Sequence, residues 1–147
     1  MTLSTPSAER ILPYAALLSR VTLGGFFLAH AGLKLLVFTP AGTAAYFGSL
    51  GLPSGLAYAV IAAEIVGGLA LILGVATRWA ALALVPILLG ALIAVHAANG
   101  FFFTAQGGGA EFPLLWIVAL LVQAALGDGA FALGSAAGGR TLALSAR

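Results

Sequence analysis

Four long apolar stretches run along the chain, with polar segments between them. A helix needs about 20 apolar residues to cross a bilayer, and each stretch is close to that length or longer. Their apolar residues follow one another without the alternation that is typical of strands. The pattern predicts an all-α fold: a transmembrane four-helix bundle that forms a single membrane domain, with a flexible tail over residues 134–147. The predicted spans are residues 11–38, 55–75, 79–98 and 113–131.

The segment between the first two spans contains its own helix signal. Thr39 can cap a helix, and Pro40 suits the first helical position that follows. Tyr46 and Phe47 come next, and aromatic side chains favour the membrane interface. We therefore predict a short interfacial helix between spans 1 and 2.

Small residues at four-residue spacing suggest how the second and third spans pack. Such residues let helix backbones approach closely inside a bilayer. We expect spans two and three to pack through two stripes: Ala59, Ala63 and Gly67 on one, and Gly90, Ala94 and Ala98 on the other.

The composition supports a lipid environment. Hydrophobic residues make up 62% of the chain and charged residues only 7%, whereas a soluble domain carries roughly 25% charged residues. The net charge of +2 comes from scattered residues, which gives no nucleic-acid footprint. The chain contains no cysteine, so disulfides and thiolate metal sites are excluded.

The arginines in the segments outside the spans predict the orientation. Arg10, Arg78, Arg140 and Arg147 all lie on one side of the predicted bundle, and the other two loops contain neither lysine nor arginine. Positive residues favour the cytoplasmic side of a membrane. We therefore expect both termini in the cytoplasm.

Several ionisable residues interrupt the apolar spans. A charge at the bilayer centre costs about 2.5–3.5 kcal/mol even on the mildest scale, so such residues usually face a bundle interior. His30 and Glu64 lie at similar predicted depths, which favours an outward-opening polar pocket. The predicted ligand-binding residues are His30, Lys34, Glu64, His96 and Glu111; Arg20 and Asp128 are structural or relay candidates.

Other roles for these residues remain open at this stage. Glu64 could form a structural ion pair with Arg20 or Lys34, and Lys34 could extend to the interface. His30, His96, Glu64 and Glu111 offer nitrogen and oxygen ligands, but the neighbouring Lys34 opposes a cation, so no metal is assigned.

Short motifs follow one another from about Arg20 to Leu133. They are Arg20-Val21 with Leu23-Gly24, His30-Ala31-Gly32-Leu33-Lys34, Gly51-Leu52-Pro53, Glu64 with Gly67-Gly68, Leu73-Gly74 with Thr77-Arg78, His96 before Asn99-Gly100, Glu111, and Gly127-Asp128-Gly129. In this order and spacing they resemble the DoxX family of small bacterial four-helix membrane proteins. The chain departs from the family pattern at Ala31, where the family usually has glycine.

The resemblance implies a redox setting more than a particular reaction. It suggests an accessory subunit of a membrane oxidoreductase in the bacterial cytoplasmic (inner) membrane, with a redox enzyme as partner and a homo-oligomer as another option. No intrinsic cofactor and no catalytic residue are assigned. A quinone is the candidate ligand, with hydrogen bonds from His30 and Lys34 and proton exchange by Glu64. A transporter or proton pathway and a ligand-free scaffold are the alternatives.

Overall fold

The computed structural model describes residues 6–134, and within that range the fold is helical with no strand. The predicted tail, with Arg140 and Arg147, lies outside the described residues apart from Gly134. The all-α prediction is confirmed. The helices are α1 (Pro6–Gly32), α2 (Pro40–Ser49), α3 (Leu56–Leu73), α4 (Thr77–Ala91) and α5 (Glu111–Leu126).

Two of the long helices continue beyond their α-helical part. A π-helical turn, Leu33–Val37, extends α1, and another, Leu92–His96, extends α4 before a 3₁₀ turn at Ala97–Asn99. π-helical turns are rare and often occur at functional sites. Lys34 and His96 both lie on such turns.

The helix predicted between the first two spans is present as α2. Its N-terminus has the expected cap, since the Thr39 hydroxyl accepts a hydrogen bond from the Gly42 amide at 3.1 Å and Pro40 occupies the first turn. The chain leaves α2 through Gly51, whose φ of 78° is one that glycine adopts without strain.

Helix α1 packs closely against α3, and α4 against α5. The tightest approach joins Gly24 to Gly68, where a Cβ added to Gly24 would lie 2.6 Å from the Gly68 carbonyl oxygen. Buried apolar side chains from α1, α3, α4 and α5 then fill the centre of the bundle, among them Phe27, Leu71, Leu84 and Leu120. Glycine thus permits the α1–α3 contact, and larger side chains fill the core.

Three of the helical segments are long and apolar enough to cross a membrane: Glu9–Val37, Leu56–Leu73 and Thr77–Asn99. Helix α5 is apolar but has only 16 residues. At 1.5 Å per residue it is about 24 Å long, against a hydrocarbon core of about 30 Å. It ends earlier than the predicted residue 131 because Gly127 and Gly129 adopt positive φ angles.

The two ends of the bundle differ in the segments that they contain. The cavity end contains α2 and the loop of residues 100–110. The Arg20 end contains the turn between α3 and α4 and the segment that follows α5.

A candidate ligand cavity between the helix pairs

An ion pair joins α1 to α3 near the cavity end. The Lys34 ammonium donates to both carboxylate oxygens of Glu64, at 2.7 and 2.8 Å. The Glu64 side chain is 5% exposed and that of Lys34 is 18% exposed. A buried carboxylate needs such a partner because burial without one is costly. An ammonium has three N–H donors, so one donor of Lys34 remains beyond the two that Glu64 uses.

His30 lies one turn before Lys34 on α1, beside an aromatic cluster. Its ring contacts Trp116 of α5 with a centroid distance of 5.0 Å, and Trp116 also packs against Phe26, Phe27 and Phe112. The indole nitrogen of Trp116 is buried and has no hydrogen-bond partner among the described residues. Buried indole N–H groups usually have a partner, so this one is an unsatisfied polar group of a residue that lines the wall.

A cavity of about 1070 Å³ brings these groups together. All five helices contribute to its wall, together with the loop of residues 100–110. The wall is mainly aliphatic and aromatic, and its basic and acidic residues are His30, Lys34, Glu64 and His96. A mostly apolar cavity with a few convergent polar groups is the usual form of a small-molecule site.

His96 and Glu111 hold the loop of residues 100–110 in place. The Nδ1 atom of His96 lies 2.9 Å from the Gly108 carbonyl oxygen, which also accepts from the Asn99 side chain at 3.1 Å. Glu111 accepts a hydrogen bond from the Phe103 amide at 3.0 Å. His96 borders the cavity, whereas Glu111 is not among the residues that line it.

Arg20 lies at the opposite end and does not contact Glu64. Its guanidinium donates to the carbonyl oxygens of Leu71 at 3.0 Å and Ala130 at 2.8 Å, and also to that of Ile72. The residue is 1% exposed. These bonds join α1 to the end of α3 and to the segment after α5. Asp128 lies in that same segment, in the turn that ends α5.

No sequence pattern singled out the aromatic part of the wall. Trp116 was missed because an aromatic residue in an apolar span has no distinguishing pattern. Within residues 6–134, no group of three or more His, Cys, Asp or Glu side chains could hold a metal ion.

The fold and cavity define a helical membrane protein with a pocket between its helices, and comparison with known proteins gives the family. The DoxX family model matches residues 15–97. A Bacillus subtilis (strain 168) protein named "Putative oxidoreductase CatD" is 36% identical over 117 residues, which cover 80% of this chain and 82% of that protein. An "Uncharacterized protein" of Haemophilus influenzae (strain ATCC 51907 / DSM 11121 / KW20 / Rd) is 37% identical over 128 residues, 85% of this chain and 92% of that protein. No solved structure matches significantly.

The chain therefore belongs to the DoxX family. The resemblance recognised from the sequence motifs is confirmed, and the long apolar helices are those of a membrane protein.

Proposed function

We propose that this protein is an accessory subunit of a membrane redox assembly and that its cavity binds a quinone. The observation that carries the proposal is the Lys34–Glu64 pair at the wall of an otherwise apolar cavity of about 1070 Å³. A quinone has a flat apolar ring and two carbonyl oxygens that accept hydrogen bonds. Aromatic walls suit the ring, and the remaining N–H of Lys34 suits one of the oxygens.

Each polar residue has a distinct role in this proposal. Lys34 donates its third N–H to one quinone oxygen and His30 offers a second donor beside it. Glu64 keeps Lys34 in position and exchanges a proton with the bound ligand. Reduction of a quinone to a quinol takes two electrons and two protons, and a partner oxidoreductase supplies the electrons. The name of the Bacillus subtilis relative, an oxidoreductase, is consistent with such a partner.

The interior of the bundle favours ligand binding over a proton pathway through the protein. Such a pathway needs polar groups in sequence from Glu64 through Arg20 to Asp128. Arg20 and Lys34 are 14 residues apart on α1, about 21 Å along the axis. Buried Leu23, Phe27 and Leu120 occupy the layer between them. These apolar side chains interrupt the series of polar groups that such a pathway needs.

Quinone titration of detergent-purified protein tests the proposal. The probe is a decyl-substituted benzoquinone, and binding is followed by calorimetry. We expect Glu64→Gln and Lys34→Met to weaken binding at least tenfold, because each removes part of the polar wall. Glu111→Gln is the matched control, since Glu111 is an acid of the same chain outside the cavity lining. Wild-type protein that binds no quinone contradicts the proposal and favours a ligand-free scaffold. Equal affinity in all variants contradicts the assignment of the site to Lys34 and Glu64.

We further propose a position in the bacterial inner membrane with both termini in the cytoplasm and α5 as a fourth span. The arginine distribution supports this orientation. Because α5 is short, local thinning of the bilayer or neighbouring polar residues would accommodate it. A reporter active only in the cytoplasm should work after Arg147 or near Arg78. Reporter activity from a fusion within residues 107–109 would contradict the orientation.

A further inference from the structure

Aromatic rings fill the seam between α1 and α5 beside the cavity. Trp116 packs there against Phe112 at a centroid distance of 5.9 Å, against Phe26 at 5.9 Å and against His30 at 5.0 Å. With Phe27 at 4.8 Å, four rings surround this indole and leave little room for a ligand chain. The apolar tail of a bound ligand is therefore expected to leave the cavity between other helices.

The seam between α3 and α4 begins closed and then opens. The two helices are antiparallel neighbours joined by a short turn, and a Cβ added to Gly67 would lie 2.8 Å from Leu84. Moving toward the cavity end by one turn on each helix brings Glu64 level with Ile87. Both residues line the cavity. From that level onward, the facing sides of α3 and α4 border the cavity rather than each other.

Small residues occupy the α4 side of this opening. Gly90 is exposed, and a Cβ added there would meet no heavy atom within 4 Å. Ala91 and Ala94 continue the same wall, and on α3 the facing residues include Val60 and Leu56. Leu56 is 43% exposed. The opening is thus apolar on both sides and lies at the level of membrane-spanning helices.

We infer that the seam between α3 and α4, centred on Gly90, is a lateral opening through which the apolar chain of the ligand extends into the lipid. The ligand is accordingly an amphiphile that partitions into the membrane: a polar ring at Lys34 and Glu64, and a long apolar tail between Val60 and Gly90. This inference rests on the proposed function, because it assigns the tail of the same ligand. It excludes a small water-soluble ligand as the natural one.

The first experiment compares two quinones that share one ring. The probes are the decyl-substituted benzoquinone and the same ring without a tail. We expect wild-type protein to bind the tailed probe at least tenfold more tightly. Gly90→Leu should remove most of that difference and leave the tail-less probe unchanged. Gly25→Leu is the matched control, because Gly25 is a helical glycine with nothing within 4 Å of an added Cβ and lies outside the cavity lining. An equal loss in both glycine variants, or none in Gly90→Leu, overturns the inference.

The second experiment needs no quinone. The chain has two tryptophans, so the Trp79→Phe variant keeps Trp116 as its single tryptophan. Trp79 is 71% exposed, and its replacement should not disturb the core. In bilayers of phospholipid brominated on the acyl chains, lipid that reaches the cavity should quench Trp116. Gly90→Leu should reduce the quenching and Gly25→Leu should not. If quenching is absent or the same in both variants, the lateral opening is wrong. If it behaves as expected while no quinone binds, only the proposed function fails.

Discussion

The two ends of the bundle each contain a cation of α1, and they use it differently. Arg20 is enclosed and bound to backbone carbonyl oxygens of α3 and of the segment after α5. Lys34 pairs with a side chain, Glu64, at the wall of a large cavity. One charge closes an end of the fold, and the other is placed where a ligand can reach it. A cation in a membrane span therefore identifies a function only when its partners are known.

Arg20 and Lys34 have different partners because different backbone groups are free to accept hydrogen bonds at the two levels of α3. The last four carbonyl groups of a helix lack partners within that helix, and Leu71 and Ile72 are in the last turn of α3. A cation is also favourable at a helix C-terminus. Glu64 lies in the middle of α3, where neighbouring backbone groups are already paired. Only another side chain can compensate its charge there.

The largest effect is expected at the Arg20 end, from Arg20→Met. The substitution leaves the carbonyl oxygens of Ile72 and Ala130 without a donor, while that of Leu71 keeps the Gly74 amide at 3.2 Å. Each unsatisfied group costs about 1–3 kcal/mol, so we expect a loss of roughly 2–6 kcal/mol and poor yield. Thermal unfolding in detergent measures it. Arg78→Met is the control, because Arg78 is exposed and makes one such bond, to Ala124. Equal stability of the two variants would mean that Arg20 is not structural.

The next effect concerns the close contact between α1 and α3. Gly24→Ala would bring a Cβ to 2.6 Å from the Gly68 carbonyl oxygen, and backbone cannot move aside as a flexible side chain can. Overpacking of this kind costs roughly 1–3 kcal/mol. Gly25→Ala, one residue along, meets nothing and should be neutral or slightly stabilising. The unfolding temperatures of the two variants provide the measurement. If Gly24→Ala is as stable as Gly25→Ala, then α1 and α3 do not cross at Gly24.

The third effect distinguishes the cavity end from the Arg20 end. Lys34→Met leaves the buried Glu64 without a counter-ion, whereas Glu64→Gln leaves an 18% exposed lysine that can reach water. We expect Lys34→Met to cost about 2 kcal/mol and Glu64→Gln less, since an amide oxygen still accepts a hydrogen bond. In the double variant the costs should be less than additive.

Unfolding of the two single variants and the double variant provides the measurement. If Glu64→Gln is as unstable as Arg20→Met and still binds quinone, the ion pair serves packing alone. The comparison between the two ends would then lose its functional meaning.

The sequence predicted the helices well because hydrophobic length and helix capping are local properties. The α2 helix is an example, since Thr39 and Pro40 specify its start. The structure also contains one of the ion pairs that the sequence left open, Lys34 with Glu64. The partners of Arg20 were not predictable, because the carbonyl groups it binds become available only where α3 ends against another segment.

Helix packing was harder to predict than helix position. Gly67 does contact α4, through Leu84, but Gly90 contacts nothing and borders the cavity instead. The closest approach is Gly24 with Gly68, between α1 and α3. Small residues permit either a close contact or an open space, and the choice depends on the other helices.

The smallest effect is expected from Glu111→Ala, and it addresses the one predicted ligand residue that is not in the cavity lining. The carboxylate of Glu111 accepts from the Phe103 amide at 3.0 Å, and this exposed contact should contribute no more than about 1 kcal/mol. Hydrogen exchange at the Phe103 amide should become faster, while quinone affinity stays within twofold of wild type. Glu111→Gln is the control, because its amide oxygen can still accept the bond and should preserve the slow exchange. If Glu111→Ala instead loses quinone binding while Phe103 exchange is unchanged, Glu111 is a ligand residue, as the sequence first suggested. The polar part of the site would then lie nearer the loop of residues 100–110 than the Lys34–Glu64 pair.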